Sequence, residues 1–471
     1  MLINKISLDD DGFKNAFLEG KFVIDCVEIK LTQNGSPLPR VYSSPGFILV
    51  TPEFGAEARM VVKRDISEPY DPLATLVEQF SVSSGVLFPE THFYSLEAMD
   101  LAGNIWTNAA VMPKFLQQDT AEVISFSCDH IETGIAAQSS TAFVHFVFSE
   151  DLKLPMDVHI PRKEFVRGRE RLSFKQALSS GTMSGMQVHY HKCLVESDID
   201  AYELFVLASD SSQFFDAVDA RVLDAVRFCT AALAFPVMSE VARDGTRLIR
   251  LTKARRLNVG LVSAPLSGAG TSADFYKLMG CYYDHACRNA TGMETSTLSK
   301  KLGGLYTLQG VWLDTIALLL CIAVEGILND SLFKSLGKPS ETLLGGIKAL
   351  FEWVKAAPVD DRLRERARSA IGSMKSNRAV DKMHALAAIG AIDPQDIVSW
   401  KFVRNPSAHG SFQINENEIQ ELLDHTYRLV TMVHKLAFLI IGYSGTYTDC
   451  ARPGWPRGNY DAAAILSHLQ E

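Results

Sequence analysis

The sequence lacks the features that would place the protein in or across a membrane. Its first residues, MLINKISLDDDGF, show no basic stretch followed by an apolar one, so we expect no secretion signal. The longest apolar run, TIALLLCIAVEGIL, is too short to cross a bilayer and contains Glu325. The 8 cysteines form no Cys-x-x-Cys pair, which predicts reduced, mostly buried thiols. We therefore expect a soluble, cytoplasmic protein without a membrane partner.

The sequence also lacks the common signatures of cofactor and metal enzymes. We find no Walker loop, no dinucleotide fingerprint, no His-Glu-x-x-His and no nucleophile elbow. The stretch VHYHKC would place His189, His191 and Cys193 on one face of a strand, in a spacing that metal ligands use. Because no fourth ligand is evident, we interpret these residues as packed or surface polar groups. The sequence predicts no cofactor and no metal.

The charge is distributed unevenly along the chain. Of 471 residues, 47% are hydrophobic and 21% are charged, which is typical of a globular protein with more than one core. The net charge of −9 arises before residue 261, because residues 261–471 hold 21 basic and 21 acidic side chains. The acidic first part argues against general nucleic-acid affinity there. The neutral second part is compatible with a local basic site.

The pattern of hydrophobic residues predicts an α+β protein. The first part alternates short β-branched and aromatic runs with turn signals, which indicates an antiparallel sandwich or barrel-like fold with a late helix. A small-residue stretch at 263–275 reads as a linker. Beyond it, apolar residues recur at helical spacing, so we predict an all-α bundle. The domains are 1–262, divided at about 150 if it holds two subdomains, and 276–471.

One short stretch in the helical part carries candidate chemistry. In VRNPSAHGSF, Arg404 and His409 lie at a junction between two predicted helices, and the first helix should run from Pro394 to about Arg404. An arginine is suited to neutralising charge on a phosphodiester in the transition state. A histidine can take the proton from a ribose 2′-hydroxyl or donate one to the leaving 5′-oxygen. A plain helix end, with Pro406 preventing continuation, is the alternative interpretation.

This stretch resembles the motif of the HEPN superfamily, an arginine followed by a polar residue and then a histidine four to six residues later. RNPSAHG matches that form, including Asn405 and Gly410, and it follows a very apolar helix with one acidic residue. The resemblance covers the last third of the chain. A strand-rich front, a late helix and this domain together are similar to the ApeA-type abortive-infection proteins of bacteria.

The resemblance implies a metal-independent endoribonuclease that leaves 2′,3′-cyclic phosphate and 5′-hydroxyl ends. It also implies a homodimer whose two motifs share a cleft, a role in anti-phage defence, and an N-terminal region that senses an unknown trigger. Arg404 and His409 would be catalytic, Asn405 would orient the histidine or the phosphate, and Ser407 would support them. The second hypothesis is a non-catalytic dimerisation or interaction module with the same helical fold.

The remaining candidates surround this motif. Acidic residues are rare in apolar helices unless they are paired, so we expect Glu325 to face the motif, as a structural ion pair or as a residue that orients Arg404. RNA contacts are candidates at Lys401, Arg364 and Arg368. The last two belong to RLRERARSAIGSMKSNR, whose alternating charges also fit a solvated surface.

Overall fold

The fold is α+β, as the sequence predicts. The computed structural model describes residue 8 and residues 11–470, except for 64–86, 118–120, 138–140, 156–157, 167–168, 194–199, 215–216, 256–257, 260–261, 268–271, 290–294, 308–310, 376 and 409–418. The chain forms two compact units. The first comprises Met1–Asp219 and Ala234–Leu257, and the second comprises Ala220–Leu233 and Asn258–Glu471.

The strands account for most of the first unit. In chain order the strands of both units are β1 Phe22–Gln33, β2 Val41–Thr51, β3 Gly55–Lys63, β4 Tyr94–Asp100, β5 Ile105–Val111, β6 Lys114–Gln117, β7 Ala121–Cys128, β8 His130–Ala136, β9 Ala142–Phe148, β10 Val158–Val166, β11 Arg169–Met183, β12 Met186–Cys193, β13 Ala201–Ala208, β14 Ala232–Leu233, β15 Met238–Arg243, β16 Thr246–Thr252, β17 Asn258–Val259, β18 Ser444–Thr448 and β19 Arg457–Asp461. Strands β14, β17, β18 and β19 belong to the second unit. The other fifteen form one sheet in the order β10-β11-β12-β13-β9-β15-β16-β8-β5-β4-β1-β2-β3-β7-β6. Strands from both predicted subdomains therefore share this sheet.

Strand β1 shows how the sequence builds the core of this unit. Its apolar residues alternate at Phe22, Ile24 and Cys26, and all three are buried. The pairing then shifts register before Ile29, which is the signature of a β-bulge. The bulge restores the buried face at Ile29 and Leu31. A bulge is therefore what keeps a twelve-residue strand facing one core.

A short helix, α1 (Asp11–Leu18), covers part of this core. Phe13, Phe17 and Leu18 are buried in it together with Leu8. Burying each of these large side chains contributes about 1.5–3 kcal/mol. The helix is consequently a structural part of the first unit.

The second unit is helical. Its helices, in chain order after α1, are α2 Val218–Thr230, α3 Ser272–Asn289, α4 Thr297–Tyr306, α5 Leu313–Leu328, α6 Glu341–Ala356, α7 Asp361–Ser373, α8 Ala379–Ala388, α9 Pro394–Ala408, α10 Ile419–Ile441 and α11 Ala462–Gln470. Helix α2 is the predicted late helix, and from Ala220 onward it belongs to this unit. Helix α5 buries Ile316, Leu320 and Val324 and packs against α9 and α10. No helix among the described residues is both long and apolar enough to cross a bilayer.

Two details differ from the sequence prediction. Helix α9 does not end near Arg404 but continues to Ala408 with Pro406 in its last turn. The fixed φ of proline is compatible with a helix, but the ring lacks the N–H that would bond to the carbonyl four residues earlier and it crowds that carbonyl. The proline- and glycine-rich segment ARPGWPRGNY is typical of a surface loop, yet β18 and β19 form an antiparallel hairpin around it. Tyr460 of this hairpin is buried and donates its hydroxyl to the carbonyl of Ala391 at 3.1 Å.

Candidate functional site

The acidic residue of the apolar helix lies on its partly exposed side. Glu325 is in the last turn of α5, one turn after Ile322, which is exposed. The opposite side of the helix is buried in the unit. An ionised carboxylate on this boundary keeps part of its hydration, and its position is set by the buried side of the helix. The site is therefore built on a rigid element.

Helix α9 brings Arg404 to this carboxylate. The guanidinium Nε donates to Glu325 Oε1 at 3.2 Å, and the two side chains are 41% and 37% exposed. The guanidinium also lies 5.9 Å from the centre of the Trp400 ring. Among the described residues, no second acceptor forms a hydrogen bond with this guanidinium. An ion pair this exposed contributes about 0–1 kcal/mol to stability.

Cys321 lies beneath the pair and is not a nucleophile. Its thiol is buried and lies 3.9 Å from the carbonyl of Trp400. Burial raises the pKa of Cys321 to about 12, with Glu325 adding to the rise and Arg404 opposing it. The thiol is thus neutral at physiological pH. Arginine and carboxylate are the groups with chemistry to offer at this position.

The remaining motif residues follow Arg404 in the same helix. Asn405 and Ser407 belong to the last turn of α9, and the orientations of their side chains lie outside the described part of the structure. His409 falls within 409–418, also outside the described residues. The structure therefore brings together Arg404 and Glu325, and the roles of Asn405, Ser407 and His409 stay predictions.

The predicted RNA contacts lie on two different elements. Lys401 is exposed on α9, one turn before Arg404. Arg364 is engaged within α7 and its preceding turn, by Asp361 and by the carbonyls of Ala357 and Val359. Arg368 lies with its guanidinium carbon 5.1 Å from the centre of the Phe351 ring. Of these three residues, Lys401 is the one that lies on the same helix as Arg404.

The histidines of β12 have partners that explain them without a metal. His191 Nε2 lies 2.9 Å from Glu203 Oε2, and His189 Nδ1 lies 3.2 Å from the Ser180 hydroxyl. Cys193 is buried in the core of the first unit. Within the part of the chain that the structure describes, no three histidine, cysteine, aspartate or glutamate residues are grouped so that they could hold a metal ion.

Sequence reasoning missed a buried ionic cluster in the first unit. We call it the Glu203 cluster, and it is made of Lys14, His145, His191, Glu203, Glu240 and Arg247. Lys14 Nζ lies 2.7 Å and His145 Nε2 lies 3.4 Å from Glu203 Oε1. Arg247 Nε donates to Glu240 Oε1 at 2.5 Å, and its Nη1 donates to the carbonyl of Leu8 at 2.9 Å.

The two carboxylates control the central histidine of the Glu203 cluster. His145 is stacked on Phe205 with ring centres 3.9 Å apart, and its Nδ1 lies 3.6 Å from Glu240 Oε2. Burial alone would lower the pKa of His145, but Glu203 and Glu240 raise it above its usual value. Burial likewise opposes ionisation of Glu203, yet His145, His191 and Lys14 hold the pKa of that carboxyl well below its usual range. The signal in the sequence was a glutamate within the apolar strand AYELFVLA.

Comparison of the chain with protein-family models, curated proteins and solved structures found no match.

Proposed function

We propose that the second unit is a HEPN-type, metal-independent endoribonuclease. The observation that carries this proposal is the Arg404–Glu325 pair, in which a carboxylate accepts from Nε and the arginine side chain stays 41% exposed. A preorganised arginine of this kind can neutralise the charge that develops on a phosphodiester. The exposed Lys401 would contact the RNA backbone on the approach to it.

His409 supplies the proton transfers in this mechanism. As base it removes the proton of a ribose 2′-hydroxyl, whose oxygen attacks the neighbouring phosphorus and closes a 2′,3′-cyclic phosphate. The leaving 5′-oxygen takes a proton and departs as a hydroxyl. Asn405 orients the histidine or the phosphate, and Ser407 supports the two catalytic residues.

A homodimer would supply the second histidine that acid and base catalysis together require. Exposed apolar side chains on the two helices of the pair are compatible with such an interface, namely Ile322 on α5 and Val398 and Phe402 on α9. The N-terminal unit would restrain the nuclease until a trigger, such as a phage component, releases it. These roles rest on the family resemblance.

The experiment compares the wild-type protein with His409→Ala on total cellular RNA in the presence of EDTA. Arg452→Ala serves as a matched control, because Arg452 is also an exposed arginine of this unit paired with an acid, Asp449. We expect cleavage by the wild type and the control, with cyclic-phosphate ends. His409→Ala should lose at least about 100-fold in rate. Cleavage that persists in His409→Ala would contradict the proposal.

One observation favours the alternative, a non-catalytic dimerisation module. Glu325 already provides a partner for Arg404, and apolar residues surround the pair, as they would in a subunit contact. On that hypothesis the wild type dimerises but leaves RNA intact, and Phe402→Ser dissociates the dimer. Analytical ultracentrifugation of both proteins, alongside the RNA assay, separates the two functions.

A further inference from the structure

Helices α6 and α7 form an antiparallel hairpin with a small core of its own. Ile347, Val354 and Ile371 are buried there, and Phe351 packs against them. These residues fill the space between the two helices. The side chains around them therefore form a continuous surface and do not line a groove. Arg364 stabilises the turn between the helices, because its guanidinium donates to two backbone carbonyls there.

A second apolar row on α6 has no partner within the described residues. The inner row, at positions 347, 351 and 354, faces α7. The outer row is displaced by one residue and consists of Leu343, Gly346, Leu350 and Trp353. Its three large side chains are exposed, Trp353 to 69%. In both rows successive residues are three or four positions apart, which is the spacing of residues on one face of a helix that packs against a partner.

Helix α7 extends this apolar surface. Leu363 and Met374 are exposed, and Ala370 lies between them at helical spacing. Helical periodicity places this row on the same side of the hairpin as the outer row of α6. We call the combined surface the hairpin face. A contiguous exposed apolar surface of this kind marks an interaction site.

The charge around the hairpin face is positive, in contrast to the rest of the chain. Residues 334–378 hold ten basic and five acidic side chains, while the whole chain carries −9. Arg362 and Arg366 border the face, and their side chains form no ion pair with any described residue. The occupant of the face should therefore be negatively charged. A second copy of this hairpin would bring two positive surfaces together.

We propose that the hairpin face binds an anionic lipid surface without crossing it. Leucine, methionine and tryptophan would enter the boundary between headgroups and acyl chains, and the arginines would contact the acidic headgroups. Single-stranded RNA fits less well, since its stacking sites need aromatic rings along a polar groove rather than aliphatic rows. The proposal is independent of the nuclease, and it runs against the sequence-based expectation of no membrane partner.

The test is co-sedimentation of the full chain with vesicles of equal parts phosphatidylcholine and phosphatidylglycerol. Leu350→Ser combined with Trp353→Ser removes the apolar contribution, and Arg362→Gln combined with Arg366→Gln removes charge at the edge. Trp312→Ser is the matched control, because Trp312 is even more exposed but lies outside the hairpin. All five changed positions are exposed, so circular dichroism should show an intact fold in each variant.

We expect the wild type and Trp312→Ser to bind the anionic vesicles and to ignore pure phosphatidylcholine. Each arginine removed should weaken binding about fivefold, and the serine variant should lose at least about tenfold. The fluorescence of Trp353 should shift to shorter wavelength on binding, a change that Trp353→Phe abolishes.

Three outcomes would overturn the proposal. The first is no binding to anionic vesicles, and the second is undiminished binding by the serine variant. The third is a doubled mass in light scattering that the serine variant reverses, which would assign the face to a second copy. The first outcome could come with RNA binding that depends on the arginines but not on Leu350 and Trp353. In that case the positive charge of the face would serve to bind nucleic acid.

Discussion

Two ionic arrangements of the protein, one in each unit, differ in how deeply they are buried. In the first, the Glu203 cluster encloses two carboxylates that are almost completely buried, and each has several cationic neighbours. In the second, Glu325 and Arg404 form a single contact at a partly exposed helix boundary. Removing charge from water is costly, so a buried cluster persists only when its members satisfy one another. A half-exposed pair can instead exchange its partner for a ligand.

This difference separates a structural role from a functional one. The Glu203 cluster ties α1 to the sheet, because Lys14 is on α1 and Arg247 on β16 holds the carbonyl of Leu8. The Arg404–Glu325 pair contributes little to folding and leaves part of the guanidinium open. Perturbed pKa values therefore mark the structural cluster here, whereas the candidate catalytic arginine is recognised by its geometry and sequence motif.

The largest effect on stability is expected at the centre of the Glu203 cluster. Glu203→Ala removes a buried carboxylate from contact with Lys14, His145 and His191, so it should lower the free energy of unfolding by about 3–5 kcal/mol. Glu132→Ala is the matched control, because Glu132 pairs with Arg250 on the surface at 2.7 Å. The control should cost at most about 1 kcal/mol. If urea unfolding shows the same loss of free energy of unfolding for both variants, the distinction between the buried and the exposed ion pair is wrong.

The pH dependence of stability should show whether protonated His145 stabilises the fold. Its pKa is raised in the folded state from the usual 6.5, so its contribution is complete below that value and lost as the pH rises through the folded pKa. Glu203, with a lowered pKa, loses its contribution in acid instead. Together they favour maximal stability between about pH 4.5 and 6.5.

Melting curves of the wild type and His145→Phe over this range check the prediction. Phenylalanine keeps the stacking on Phe205 and removes the titrating group. The wild type should lose stability above neutral pH relative to the variant. Burial lowers the pKa of His130, which acts in the opposite sense in both proteins and cancels in the comparison. Parallel curves would show that His145 does not titrate.

The smallest effect on stability is expected at Glu325. Glu325→Gln keeps the shape of the side chain and a hydrogen-bond acceptor, so the free energy of unfolding should fall by at most about 1 kcal/mol. RNA cleavage should fall more clearly, because Arg404 loses the charge that orients it. A loss above about 3 kcal/mol would place this pair with the Glu203 cluster as a structural element.

Much of the fold could be predicted from local patterns. Alternating apolar residues identify strands such as β1, and Asp393 before Pro394 marks the start of α9, where its carboxylate accepts from the backbone N–H of Gln395 at 2.8 Å. The continuation of α9 beyond Arg404 was not predicted, because proline was read as a stop. The φ of proline is compatible with a helix, so the lost hydrogen bond and the crowding of the preceding turn weaken the helix without excluding it.

The long-range features could not be predicted in the same way. The Glu203 cluster joins residues from α1 and from strands β9, β12, β13, β15 and β16, and no spacing in the sequence links them. The hairpin face was also missed, because its apolar residues resemble those of a buried helix face until exposure distinguishes the two rows. Glu325 and Arg404 were expected to meet, since an acid in an apolar helix requires a partner.

The central claim is that Arg404 serves a ligand rather than the fold. The most direct test measures RNA cleavage and thermal unfolding on the same preparations of wild type, Arg404→Ala and Arg404→Lys. The account predicts that Arg404→Ala loses about 100-fold or more in cleavage while its melting temperature stays within a few degrees of wild type. Lysine should restore little activity, because it lacks the forked donors. A variant that cleaves RNA normally but melts much lower would contradict the claim.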